Sequence, residues 1–286
     1  MSSFKAACIQ LNSTQEAERN LKDMSALIRE AAGQGVFFAQ TPEMSNLLVT
    51  RRADLEAAVQ DEAADVTLAA MRALADELSI WLHIGSLAVR SQDGRIANRG
   101  YLISPKGLVH AHYDKIHMFD VDLPNGESWR ESATYEPGTV SVVAELPWIR
   151  MGMAICYDVR FPHLFRDQAK RGAGLLSAPA AFTRQTGEAH WHVLQRSRAI
   201  ENGAYVMSAA QGGLHEDGRE TFGHSLIVGP WGEILAEKAD DQPGVIVAEI
   251  DPAAVENARQ RIPSLKNERA FSNMDVALEN DQEKSQ

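Results

Sequence analysis

The strongest constraint on how this chain can fold is the regular return of short, apolar, β-forming runs, each followed by a helical stretch or a tight turn. Strands repeat every two residues and helices about every 3.6, so the two kinds of segment are distinguishable in sequence. FKAACIQLN, residues 4–12, has the strand pattern. Asn12, Ser13 and Thr14 then offer cap oxygens, and Ala17, Leu21, Met24, Ile28 and Ala31 recur at helical spacing until Gly33 and Gly35 end the helix. VFFAQ, residues 36–40, is a second strand and runs into Thr41-Pro42-Glu43, where proline stops pairing and leaves Glu43 just past a strand end.

A further helix is predicted where Val66, Ala70, Met71, Leu74 and Leu78 share one side. IWLHIGSLAV leads on to two strands joined at Ser104-Pro105-Lys106-Gly107, and the second, LVHAHYDK, delivers Lys115 near its end. From His117 to Gly138 the apolar periodicity lapses, which predicts a long loop folded on the surface, a length that usually carries function. VSVVAEL, IRMGMAIC, LLSAPA and AYVMSAAQ resume the strand pattern, with helices from about Pro162 to Lys170 and from about Glu188 to Glu201 between them. HSLIVG, the turn Pro230-Trp231-Gly232, EILAE and VIVAEI look like antiparallel hairpin strands. The expected class is therefore α/β, with mixed sheets and helices outside.

No segment between Phe4 and Phe271 has linker composition, so one domain over residues 1–271 is expected, followed by a polar tail over 272–286. With 28 basic and 39 acidic side chains the formal net charge is −11. Such a surface repels phosphate backbones and anionic lipid, so neither nucleic acid nor membrane is an expected partner. The first residues lack a signal-peptide pattern, and no apolar run is long enough to cross a bilayer. Cys8 and Cys156 are too few for a disulfide framework, which points to a reduced, cytoplasmic environment.

Cys156 closes IRMGMAIC and precedes YDVRFP, where Pro162 suits the first turn of a helix. A side chain at such a strand-to-helix bend is presented to a ligand at the sheet's edge. A lone cysteine is by default a small buried hydrophobe, the reading that Cys8 keeps. Nucleophilic use demands more: an ordinary thiol is mostly protonated at neutral pH, so a base must take its proton and a cation must stabilise the developing charge. Glu43 and Lys115, each just past a strand end, are a carboxylate and an ammonium placed where strand ends can gather around the sulfur, although most such residues are surface charges. His110, His112 and His117 raise a zinc alternative, since the first two share a strand face, but the spacing is not that of a metal-ligand motif.

In chain order, TPEMSN, YDKIHMFDVDLP, RESATYEPG, GMAICYDVRFPHLF, TGEAHWHVLQRSRAIEN and FGHSLIVGPWGEILAE resemble the nitrilase-like carbon–nitrogen hydrolases, over nearly everything from Phe4 to about Ile262. The resemblance implies that Glu43 is the general base, Lys115 the cation beside the developing oxyanion, and Cys156 the nucleophile. A further family glutamate matches Glu131. It also implies a four-layer αββα sandwich, association through helices into αββααββα homodimers or larger assemblies, and chemistry without cofactor or metal. KIHMFDVDLP, RES, CYDVRFPHLF and TGEAHW look similar to the branch containing omega-amidase and deaminated glutathione amidase, which hydrolyse amides of 2-oxo acids. The expectation is a cysteine-dependent amidase cleaving a small carboxylate-bearing amide through a thioester. A nitrilase and a non-catalytic partner-binding member are the alternatives.

Within that chemistry the backbone N–H of Tyr157 would join Lys115 at the tetrahedral oxygen. Glu131 would hold Lys115 or the substrate amide in position. Arg160 could pair bidentately with a carboxylate on the substrate's far end, or form a structural ion pair with Asp158 or Glu201. His190, beside Trp191 near a helix start, is a further substrate-binding candidate. Departures from the family pattern at Thr41 and Gly212 bear on pocket shape rather than on the triad.

Overall fold

A computed structural model describes residues 2–123, 126 and 128–276. The chain begins with β1 (Phe4–Gln10), α1 (Ala17–Gly33), β2 (Phe38–Gln40), α2 (Arg52–Ala58), α3 (Val66–Leu78), β3 (Trp81–Arg90), β4 (Ile96–Ile103) and β5 (Val109–Asp114). A small hairpin, β6 (Asp120–Asp122) and β7 (Ser128–Arg130), precedes β8 (Val142–Glu145), β9 (Arg150–Met153), α4 (Pro162–Lys170), β10 (Leu175–Ser177), α5 (Arg184–Asn202) and β11 (Tyr205–Ser208). A second hairpin, β12 (Gly212–Leu214) and β13 (Glu220–Phe222), leads to β14 (Leu226–Val228), β15 (Ile234–Glu237), β16 (Gly244–Ile250) and α6 (Pro252–Arg261).

Two six-stranded sheets result, ordered β16-β1-β2-β3-β4-β5 and β15-β14-β11-β10-β9-β8, each mixing parallel and antiparallel pairs. Residues alternate across β1, so Ala7 and Ile9 face one way and Phe4, Ala6 and Cys8 the other. The first set meets Met24 and Ile28 of α1 and Met71 and Leu74 of α3. The second set meets Met151, Leu175 and Met207 of the opposite sheet, whose far side is covered by Leu164 and Phe165 of α4 and Trp191 and Ala199 of α5. Each of these large apolar side chains contributes about 1.5–3 kcal/mol by leaving water. This is the four-layer αββα sandwich, and its central strands read as nearly continuous apolar runs because both their faces are covered.

Several boundaries differ from the sequence reading. β2 starts at Phe38, because Phe37 is 55% exposed. α5 starts at Arg184 rather than near Glu188. The stretch from His117 to Gly138 is not wholly loop: it holds the β6–β7 hairpin and a 3-10 turn, Glu131–Ala133. α2 carries a single buried residue, Leu55, and has too little periodicity to be seen in sequence. Residues 272–276 are exposed and without regular structure, and the rest of the expected tail lies outside the described residues. Among the described residues no helix is long and apolar enough to cross a membrane.

The two sheets approach closely where strand ends converge. A Cβ on Gly85 of β3 would sit 2.2 Å from Thr41 O, 2.5 Å from Pro42 O and 2.6 Å from Pro179 Cβ. Backbone cannot swing aside as a flexible side chain can, so only glycine fits. Gly85→Ala is expected to cost about 1–3 kcal/mol, seen as a lower midpoint in urea at unchanged m-value. An unshifted midpoint would show that the strand ends tolerate separation there.

Candidate active site

Glu43, Lys115 and Cys156, delivered by the ends of β2, β5 and β9, converge between the sheets. Lys115 is 2% exposed, and its Nζ donates to Glu43 Oε1 at 2.8 Å and to Glu131 Oε1 and Oε2 at 2.9 and 2.8 Å. Glu43 Oε2 accepts the Ala181 N–H at 2.8 Å, and the Cys156 thiol stands in the same cavity wall, within electrostatic reach of the carboxylate. Glu131 is not a solvated loop carboxylate: it also accepts from the Phe119 N–H at 2.7 Å. Asn98, which the sequence reading passed over, bridges the two carboxylates, its Nδ2 lying 2.9 Å from Glu43 and 3.1 Å from Glu131.

Each group's proton affinity follows from these neighbours. Burial alone would raise the Glu43 carboxyl, but the charge and hydrogen bond of Lys115, with the Ala181 N–H and the Cys156 thiol, hold it below its ordinary 4.5. Burial likewise opposes charge on Lys115, yet the carboxylates of Glu131 and Glu43 keep its ammonium well above the usual lysine range. Burial, then the Glu43 charge, pushes the Cys156 thiol well above its ordinary value against the pull of Lys115. At neutral pH the site therefore holds a neutral thiol beside an ionised carboxylate, so a thiolate would form there only by proton transfer from sulfur.

Cys156 is presented by a tight bend. It opens a 3-10 turn, Cys156–Arg160, with a φ of 47°, a left-handed conformation uncommon for a residue with a side chain. Its own N–H donates to Pro179 O at 2.9 Å. The following N–H, of Tyr157, stands in the first turn, where amides lack partners within the turn. Asp158, fully buried, fixes the bend: Oδ2 accepts from Tyr113 Oη at 2.7 Å and Ile155 N at 2.9 Å, and Oδ1 accepts from His117 N at 3.0 Å. The His117 ring meets Oδ1 at 2.6 Å and stacks on Phe161 with centroids 3.5 Å apart.

The triad opens on a cavity of about 210 Å³ whose wall includes Tyr157, Phe119, Trp129, Tyr135 and Arg219. Arg160 and His190 are not part of this wall. Arg160 lies over the Tyr157 and Phe182 rings, 5.8 and 5.1 Å from their centroids, with Nη1 3.2 Å from His190 Nδ1. It makes no ion pair with Asp158 or Glu201: the first is occupied as described, and the second pairs with Arg198 at 2.9 Å. His190 is exposed on α5. Thr41 and Gly212 also lie off the wall, Thr41 Oγ1 accepting from the Gly85 N–H at 3.2 Å and Gly212 packing on the Asp241 backbone. His110, His112 and His117 do not converge. Among the described residues the grouping close enough to share an ion is His192, His224 and Glu237, and its carboxylate oxygen already sits 2.8 Å from each imidazole.

Residues 5–260 match the family model described as carbon–nitrogen hydrolase, and the chain belongs to that family. It is a cysteine-dependent hydrolase of non-peptide C–N bonds, in the branch of deaminated glutathione amidase and omega-amidase. The deaminated glutathione amidase of Synechocystis is 38% identical over 271 residues, covering 93% of this chain and 98% of that protein. The human omega-amidase NIT2 is 36% identical over 270 residues, covering 94% and 96%. The crystal structure of the C. elegans NitFhit protein superposes with a TM-score of 0.88 at 34% identity, covering 94% of this chain and 66% of that longer one.

Because the folded state holds Glu43 below 4.5, its ionised form persists into mild acid. As pH falls through the lowered value, Glu43 protonates, and its stabilising pairing with Lys115 is lost together with its capacity to accept a proton. The rate profile kcat/KM against pH is expected to stay level from neutrality to about pH 5 and to fall only below that. An acid limb centred near neutrality would contradict this assignment of the base.

Proposed function

We propose that this enzyme hydrolyses a small carboxylate-bearing amide, of the 2-oxo acid omega-amide or deaminated glutathione type, with Glu43, Lys115 and Cys156 as its catalytic groups. The observation that carries the proposal is a buried carboxylate–ammonium pair that shares one cavity wall with a buried thiol. Glu43 takes the Sγ proton as sulfur attacks the carbonyl carbon. Lys115 and the Tyr157 N–H stabilise the oxyanion, an environment in which one lost donor typically costs about 3 kcal/mol. Glu43 returns the proton to the departing nitrogen, leaving a thioester. It then deprotonates water, whose attack releases the acid and restores the thiol. Glu131 keeps Lys115 charged and placed throughout, as a positioning residue.

The amidase names of the relatives favour an amide over a nitrile. The assembled triad argues against a member that only binds partners. Both cysteines are unpaired thiols, which suits the reducing cytoplasm, and that is the compartment we assign. The same reading extends to a homodimer through α5 and the chain around it. Val193, Ile200, Trp231 and Ile262 are 66%, 52%, 55% and 57% exposed. They form one surface: Ile200 backs onto Gly232, and the Arg261 guanidinium lies 6.0 Å from the Trp231 ring.

Cys156→Ala is expected to lower kcat for 2-oxoglutaramate by about 10⁴-fold or more, with a melting temperature within a few degrees of the parent, and chelators should leave the parent's kcat unaltered. Turnover retained in the variant, or lost on chelation, would rule out the scheme. Analytical ultracentrifugation should show a dimer that Ile200→Glu converts to monomer. A parent protein sedimenting as a monomer would refute the proposed interface.

A further inference from the structure

We propose that Arg219 is the anion anchor of this cavity, taking a substrate carboxylate at the end remote from the scissile amide, so that the enzyme selects anionic over neutral amides. The identity of the ligand rests on the amidase reading above; the cationic subsite rests on geometry.

Three arginines stand in the cavity wall beside Lys115: Arg52, Arg130 and Arg219. Two are already committed to carboxylates. Arg52 Nε donates to Glu56 at 2.7 Å, and Arg130 Nη2 reaches both oxygens of Asp122 at 2.9 Å. Arg219 is not. Its nearest carboxylate oxygen, on Asp217, is 3.7 Å away, beyond hydrogen-bond length, and its Nη2 donates to Thr50 Oγ1 at 3.1 Å. Its Nε is buried and, among the described residues, has no hydrogen-bond partner. The side chain is only 15% exposed. The ion pair with Asp217 balances the charge but leaves Nε a buried donor without an acceptor, which is costly and in a pocket wall calls for one the protein does not supply.

The guanidinium is held in place for that partner. It lies 4.6 Å from the Trp129 ring centroid, so its plane is supported from the β6–β7 hairpin while its backbone comes from the turn before β13. A carboxylate accepting from Nε and a neighbouring terminal nitrogen would complete the two-pronged geometry that guanidinium offers. The triad favours the reverse charge. Glu43 and Glu131 against Lys115 sum to −1 where the amide must sit, so an anionic group is repelled there, while the unmatched Nε of Arg219 offers it a donor. A substrate with one neutral amide and one carboxylate can then bind in only one direction.

The test compares glutaramate with pentanamide, which differ by one carboxylate, on the parent, Arg219→Met and Arg219→Lys. Methionine keeps an apolar stem against Trp129, and lysine keeps charge without the fork. The ratio of kcat/KM for glutaramate over pentanamide should fall about 30-fold in Arg219→Met, mainly through KM, with partial recovery in Arg219→Lys. A parental ratio in Arg219→Met, whether activity is kept or both substrates weaken together, overturns the proposal. If the parent cleaves neither amide, the amidase reading fails while the subsite is still decided by calorimetric titration with glutarate. Binding by the parent that Arg219→Met weakens tenfold or more supports the anchor; equal binding, or none by the parent, overturns it.

Discussion

An ammonium buried to 2% exposure between two carboxylates is the interaction on which this structure turns. Taking Lys115 out of water costs several kcal/mol, and the cost is offset only when hydrogen bonds to opposite charge surround it. Meeting that condition fixes much of the chain. Glu43 must follow β2, Lys115 must follow β5, and the excursion between β5 and β8 must fold back to deliver Glu131. Asn98 of β4 and the Ala181 N–H of the opposite sheet complete the set, so the cluster joins both sheets. Removing the ammonium would strand two buried carboxylates, which is why Lys115 is the member this arrangement cannot lose.

The same arithmetic shapes the chemistry. With all three groups ionised the cluster carries −1; once Glu43 takes the thiol proton, Lys115 and Glu131 remain as a neutral pair. In the proposed scheme this leaves the ammonium intact when the oxyanion forms, because Glu131 rather than Glu43 then sustains its charge. The raised thiol and lowered carboxyl have a second effect. The resting sulfur is a poor nucleophile towards passing electrophiles, and it becomes a good one only when a carbonyl is positioned to accept attack as the proton leaves.

Periodicity made much of the sandwich legible. α4 runs from Pro162 to Lys170 as its proline and apolar spacing indicate, and α3 spans the stripe from Val66 to Leu78. The two hairpins and α2 escaped because three-residue strands and a seven-residue helix contain too few repeats to establish a period. In the site, Glu43, Lys115 and Cys156 could be singled out because each follows a strand end, and family resemblance added Glu131. Asn98 left little signal, since beside Arg99 in IANRGYLI it reads as part of a polar step in β4. Arg219 left none, since a charge in HEDGRE reads as solvated until folding lays it on Trp129. Arg160, near Cys156 in sequence, lies in the fold over the Tyr157 and Phe182 rings of the cavity wall, with Nη1 against His190.

The bend at Cys156 shows why local strain and global packing cannot be separated here. Left-handed backbone at Cys156 and at Met44, next to the base, costs of order 1–3 kcal/mol each. An isolated peptide would relax both. They persist because Asp158 accepts from Ile155, Tyr113 and His117 around the bend, and because the Cys156 N–H is tied to Pro179 of the neighbouring strand end. Pro179 in turn lies where Gly85 leaves room, so the missing side chain on β3 and the lifted sulfur on the elbow belong to one constraint. The left-handed turn sets the Tyr157 amide at the same bend as the thiol, so in the proposed scheme the nucleophile and one oxyanion donor are positioned by a single backbone conformation. Relief of that strain, by any change that frees Asp158, would move both together, so Tyr113 and His117 act on the chemistry without reaching the substrate.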